Sequence, residues 1–182
     1  MNPIKYIKNF RDVGESVNLL SGETLFVENK LYRGGRLNAV FNHEEMLCIP
    51  TILNLRSGKD EKRFDALYLH VPATDKVENY DMKNRNVKKW INEVIGKIVN
   101  EEVSFPLFLH CTSGKDRTGV VVATILKALE IDEKRIVEEY LLSEGVLGSS
   151  DIKRALEGLQ DIESYLKNGY VQRLKDIFSF SV

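Results

Sequence analysis

Cys111 and Arg117 stand with five residues between them inside the run His110-Cys111-Thr112-Ser113-Gly114-Lys115-Asp116-Arg117-Thr118-Gly119. A thiol becomes a nucleophile when it loses its proton, and a guanidinium grips two oxygens of an oxyanion through its planar fork, a geometry lysine does not offer. An ordinary thiol supplies little thiolate at neutral pH. Free backbone N–H groups, a helix N-terminus and a nearby guanidinium stabilise that anion, and the same groups hold phosphoryl oxygens. The chemistry indicated is attack of sulfur on phosphorus, within a phosphate-binding loop of Thr112, Ser113, Gly114, Lys115, Asp116, Arg117 and Thr118. Thr118 offers a hydroxyl that can ease departure of the sulfur when a covalent intermediate breaks down.

Such a loop needs a rigid element on each side. Pro106-Leu107-Phe108-Leu109 before it and Val120-Val121-Val122-Ala123-Thr124-Ile125-Leu126 after it are apolar runs, read as a buried strand and a buried helix continuing through Leu129. The first turn of that helix has backbone donors without internal acceptors. The loop therefore lies at the C-terminal edge of a sheet, where open α/β sheets place ligands.

The run His-Cys-x-x-Gly-x-x-Arg-Thr-Gly resembles the signature of the cysteine-dependent protein tyrosine phosphatases, and Gly114-Lys115-Asp116-Arg117-Thr118-Gly119 is similar to their bacterial-type branch, some members of which act on phosphoinositides. Three more stretches resemble segments of that branch: Asn9-Phe10-Arg11-Asp12, Tyr32-Arg33-Gly34-Gly35, where Gly34 replaces the usual serine, and Leu55-Arg56-Ser57, preceded by Asn54 where aspartate is common. Ile136-Val137-Glu138-Glu139-Tyr140-Leu141-Leu142-Ser143 is similar to a further one, so the matches span residues 9–143. The resemblance implies a cysteinyl-phosphate mechanism with Cys111 as nucleophile, Arg117 as oxyanion clamp and no metal or other cofactor. It also implies a phosphorylated protein or a phosphoinositide as substrate. Lys115 either adds charge at the mouth, favouring such substrates, or tunes the loop.

A leaving alkoxide or phenoxide needs a proton. Asp116 ranks first because its place in the loop sets it beside the bound phosphoryl group, and the resemblance implies that relatives with the Lys-Asp pair use it; Asp75, which follows a candidate strand, ranks second, and Asp81, 30 residues before Cys111, third. For Arg11, Arg33 and Arg36 a solvated or structurally paired arginine is the expectation. Removal of a charge at Asn54 leaves Asp60 or Glu61 as candidate partners of Arg56.

Composition bounds the rest. A chain of 182 residues with 43% hydrophobic and 29% charged residues and a net charge of -1 is read as one domain over residues 1–182, monomeric and without a nucleic-acid partner. No apolar run reaches the ~18 residues of a membrane span, and the first residues lack the pattern of a signal peptide. Two cysteines make no disulfide scaffold, and a working thiolate needs reduction, so a cytoplasmic setting is expected. Cys48 is read as a packed core thiol.

In order, residues 23–27 and 30–33 read as two short strands joined at Glu28-Asn29, residues 44–47 as a short helix, and 51–55 and 67–72 as strands. Residues 86–100 repeat apolar positions at helical spacing, with Trp90 in the core or at its rim and Lys83, Arg85, Lys88 and Lys89 as a basic cluster. Helices are expected over 133–142, 151–166 and 171–178. The fold expected is α/β, three-layered, a short mainly parallel sheet flanked by helices, similar to that of the protein tyrosine phosphatases. Two other classes fit a cysteine cradled by a loop. A non-catalytic phosphate-binding module has no need of the nucleophile, and the His-Cys and Arg-Thr-Gly flanks argue against a rhodanese-type sulfur carrier.

Overall fold

The structure, a computed structural model, describes residues 6–73 and 78–180. Five strands, β1 (Arg11–Asp12), β2 (Leu31–Gly34), β3 (Thr51–Asn54), β4 (Leu67–His70) and β5 (Leu107–His110), form one sheet in the order β1-β2-β5-β3-β4. Only β1 runs antiparallel to its neighbour; the other pairs are parallel. Parallel neighbours need crossovers. Helix α2 (Arg85–Ile98) carries the chain from β4 back to β5, and α3 (Asp116–Ala128) leaves the far end of β5.

The helices α1 (Val13–Ser21), α4 (Glu133–Leu141), α5 (Ser150–Gly158), α6 (Ile162–Tyr165) and α7 (Tyr170–Phe178) complete the described elements, with a 3-10 turn at Glu44–Met46. Alternation along the strands divides the core. Leu31, Leu53, Leu107 and Leu109 pack into a cluster to which all seven α-helices contribute, whereas Tyr32, Ile52 and Phe108 pack against Ile7, Phe10, Leu37, Val40, Met46 and Ile49 on the other face. Helix α3 lies between the sheet and the outer helices and is buried on nearly every side. Among the described residues no helix is long and apolar enough to cross a membrane.

The expected three-layer sheet, the strands within 51–55 and 67–72, and the amphipathic helix are present. Trp90 is buried and donates from its ring nitrogen to the Val71 carbonyl at 3.1 Å. Residues 23–27 are not a strand. The side chain of Asn18, on α1, accepts from the N–H groups of Leu25 and Phe26 at 2.9 and 3.0 Å and donates to the Phe26 carbonyl, so a ladder is replaced by one amide. Helix α1 was not expected; Asp12 caps it by accepting from the Gly14 N–H, and Gly22 closes it at φ 74°. The helix expected over 151–166 breaks in two, because Asp161 accepts from the Ser164 N–H and starts α6 afresh. Cys48 is exposed rather than packed, in a left-handed turn at φ 50°.

Candidate active site

Register fixes where the loop sits. His110, the last residue of β5, is level with Gly34 of β2 on one side and Asn54 of β3 on the other. Cys111 follows at 2% exposure, beneath the loop that leads into α3. Gly114 adopts φ 69°, and a Cβ there would overlap the backbone of Gly34, so both the turn and the close packing require glycine.

The loop's carbonyls point outward because three partners hold them. The Arg36 N–H donates to the Thr112 carbonyl at 3.1 Å, Asn9 Nδ2 to the Ser113 carbonyl at 2.8 Å and Arg33 Nη2 to the Gly114 carbonyl at 2.9 Å. Among the described residues no protein group accepts from the backbone N–H groups of Thr112 to Arg117. With the carbonyls held outside, these donors are left for an anion, at the N-terminus of a 13-residue helix.

Behind the loop lies an ion-pair network. Arg33 has 0% exposure and pairs with Glu139 of α4, itself 1% exposed. Arg11 Nε reaches the other Glu139 oxygen at 2.8 Å, and Arg11 Nη2 donates to the Glu139 carbonyl and the Ser143 hydroxyl. Burial pushes the Arg33 guanidinium down to about 10, with Glu139 acting in the opposite direction, so it stays charged at neutral pH. Arg11 and Arg33 are thus structurally paired, as expected, but what they brace is the loop.

Arg117 is held loosely, its Nη1 3.3 Å from the Leu55 carbonyl and its Nη2 3.4 Å from the Thr112 hydroxyl. Thr118 is fully buried, and its hydroxyl has no hydrogen-bond partner. Beside them Asp60 gathers three groups: Arg56 at 2.8 Å, His110 Nε2 at 2.9 Å and the Tyr68 hydroxyl. Burial works to raise the Asp60 carboxyl, but His110, Tyr68 and Arg56 outweigh it and hold it below the usual range. Asp60, not Glu61, is therefore the partner of Arg56.

Of the candidate acids, Asp116 is tied into the site. Its Oδ1 accepts from the Tyr80 hydroxyl at 2.6 Å and lies 3.5 Å from Lys115 Nζ, while its side chain remains 41% exposed. The Tyr80 hydroxyl also meets that of Tyr140 at 2.6 Å. Burial and the hydrogen bond to Asp116 push the Tyr80 phenol far up, which keeps it a neutral donor. Asp81 is exposed in the turn before α2, and Asp75 lies outside the described residues. Sequence reasoning missed Asn9, Tyr80, Tyr140 and Glu139 as site residues. The signal for Glu139, Tyr140 and Ser143 was present in their resemblance to a family segment; Tyr80 carried none.

A cysteine under a ring of free N–H groups, closed by an arginine, on a mainly parallel sheet, is the arrangement that the resemblance to the cysteine-dependent tyrosine phosphatases implies. Comparison agrees. Solved structures of similar fold include the core catalytic domain of the PP-IP phosphatase SIW14 from S. cerevisiae, at 19% identity and a TM-score of 0.54 over 84% of this chain and 91% of that one. TpbA of P. aeruginosa aligns at 19% identity and a TM-score of 0.52 over 75% and 84%. DUSP15 aligns at 15% and 0.52 over 86% and 98%. A 38-residue stretch is 53% identical to the triple specificity protein phosphatase PtpB of Mycobacterium tuberculosis, and it spans 21% of this chain and 14% of that protein. The model of the tyrosine phosphatase family matches residues 2–177, and the chain belongs to that family.

Proposed function

We propose that this chain is a single phosphatase domain that hydrolyses phosphate monoesters through a cysteinyl-phosphate intermediate, with phosphotyrosine in proteins as the first substrate class and phosphoserine, phosphothreonine and phosphoinositides as the others to be compared. One observation carries the reading: the Thr112, Ser113 and Gly114 carbonyls are tied outward while the loop's N–H groups stay free around Cys111 and Arg117. PtpB is named a triple specificity phosphatase, and TpbA has been solved in complex with pTyr. Both support the substrate classes offered.

In the proposed cycle the Cys111 thiolate attacks phosphorus in line with the leaving oxygen, a P–S bond forms and the P–O bond breaks. Arg117 and the N–H groups from Thr112 to Arg117 hold the equatorial oxygens, where charge spreads in the transition state. Asp116 gives its proton to the departing oxygen. The resulting carboxylate takes a proton from water, whose oxygen attacks phosphorus; the P–S bond breaks, the thiolate returns and inorganic phosphate leaves. The Thr118 hydroxyl, buried and unpartnered, is placed to stabilise the sulfur at that step. Tyr80 holds the Asp116 carboxyl in position.

The first experiment measures phosphate release, with EDTA and a thiol reductant present, from phosphotyrosine peptide, phosphoserine peptide and phosphoinositide vesicles. Turnover on at least one is expected, with acid-stable label trapped on Cys111. No turnover on any, with phosphopeptide still bound, would move the chain to a non-catalytic binding role.

Asp116→Asn separates the acid from its rivals. With phosphotyrosine, a poor leaving group, kcat/KM should fall about 10²–10⁴-fold, the usual contribution of general acid catalysis, and much less with p-nitrophenyl phosphate, which departs without help. If Asp75→Asn rather than Asp116→Asn gives that split, Asp75 is the acid.

A further inference from the structure

Away from the loop, the outer face of α2 and the chain from Ser164 to Tyr170 enclose a groove of about 820 Å³. Arg85, Lys88, Lys89, Lys97 and Lys167 line it against a single carboxylate, Glu93. In a chain whose 26 basic and 27 acidic residues nearly cancel, that is a local excess of positive charge. All five cations are exposed, and among the described residues none of them has an ion-pair partner.

The groove is built into the packing. Lys88 Nζ lies over the Tyr165 ring at 5.2 Å and donates to the Ser164 carbonyl, and Asn92 bonds the Tyr165 carbonyl and the Lys167 N–H. Gly96 leaves room for the Tyr170 hydroxyl, which would lie 2.6 Å from a Cβ there. From Arg85 to Asn100 the groove follows α2 for about 22 Å, the length of an extended peptide of roughly seven residues. One end of it is tied to the site through the chain: the Tyr80 hydroxyl touches Asp116, and Arg85 follows five residues later, within about 18 Å of the Tyr80 backbone.

We propose that this groove docks an acidic stretch of polypeptide, carried by the phosphoprotein substrate several residues from its phosphorylated side chain. This rests on the phosphatase reading above. A peptide is favoured over a membrane surface because the cations lie along a trough. The large exposed apolar side chains a bilayer would take up, such as Phe41, Leu147 and Phe180, are not among its lining residues.

The test uses a fluorescein-labelled, unphosphorylated peptide of eight alternating Asp and Glu residues, its Asn/Gln counterpart, and vesicles containing phosphatidylserine, against wild type and the Lys89→Glu/Lys97→Glu variant. Neither residue belongs to the catalytic machinery, so hydrolysis of p-nitrophenyl phosphate should be unchanged and reports that the variant is folded. The acidic peptide should bind wild type, weaken as salt rises, and lose at least about tenfold in affinity in the variant. A phosphotyrosine peptide with an acidic extension should show KM raised by the same factor, with kcat unchanged. Equal binding by wild type and variant, no binding of the acidic peptide, or binding of vesicles alone would each overturn the proposal. Binding that depends on the groove in a protein that releases phosphate from no phosphopeptide, phosphoinositide or p-nitrophenyl phosphate would uphold docking and sink the phosphatase reading instead.

Discussion

Replacement of Cys111 by serine is expected to lower phosphate release by on the order of 10⁴-fold or more, the scale on which loss of a covalent nucleophile acts in an otherwise intact site. A serine hydroxyl keeps its proton at neutral pH, and the free N–H groups that stabilise a thiolate fall far short of ionising an alcohol. Anion binding should survive, because the carbonyls held by Asn9, Arg33 and Arg36 and the donors they leave free do not involve the sulfur. The variant should therefore bind phosphate within a few-fold of wild type while releasing almost no product. Isothermal titration of phosphate beside a turnover assay checks both halves. Turnover that persisted in the serine variant would end the cysteine mechanism.

Glu139→Gln should be the most damaging change outside the loop. It removes the carboxylate from between Arg33 and Arg11 and leaves the Arg33 guanidinium, at 0% exposure, as an uncompensated buried charge. Breaking a buried pair in this way costs about 3–5 kcal/mol. For a chain of this size, Tm should fall by about 6–20 °C at roughly 2–4 °C per kcal/mol. The surface pair Arg135–Glu138, also close at 2.7 Å but with each side chain about a third exposed, supplies the contrast: Glu138→Gln should cost less than about 1 kcal/mol. Calorimetry of the two variants decides between burial and proximity as the source of the effect. Equal melting temperatures would mean that the Arg33–Glu139 pair contributes no more than a solvated one.

What could be read from the sequence was what is local. The catalytic loop is a contiguous run whose residue types state their chemistry, and the strands and the helix α2 carry their own periodicities. The N-terminal motif residues could be seen but not understood, because their contacts are with backbone carbonyls 104 and 81 residues away, which no spacing reveals. Thr24-Leu25-Phe26-Val27 has the composition of a strand, and only the distant-looking Asn18 side chain, folded back on it, explains why it is none. Helix α1 was overlooked because its apolar stripe is short; its cap, Asp12, and its stop, Gly22, were the legible signs. Tyr80, which orients Asp116, sits in a polar stretch where one tyrosine looks like any other.

The fastening of the loop by Asn9, Arg33 and Arg36 has a consequence for how the protein acquires its activity. Cys111 and Arg117 lie in the second half of the chain, but the groups that turn the loop's carbonyls outward lie within the first 36 residues. A ribosome delivers the fasteners early and the loop late, so on the proposed mechanism the thiol is armed against phosphate esters only once β2 has closed against β5. Competence is thus a readout of complete folding: a chain caught half-assembled carries its cysteine unarmed.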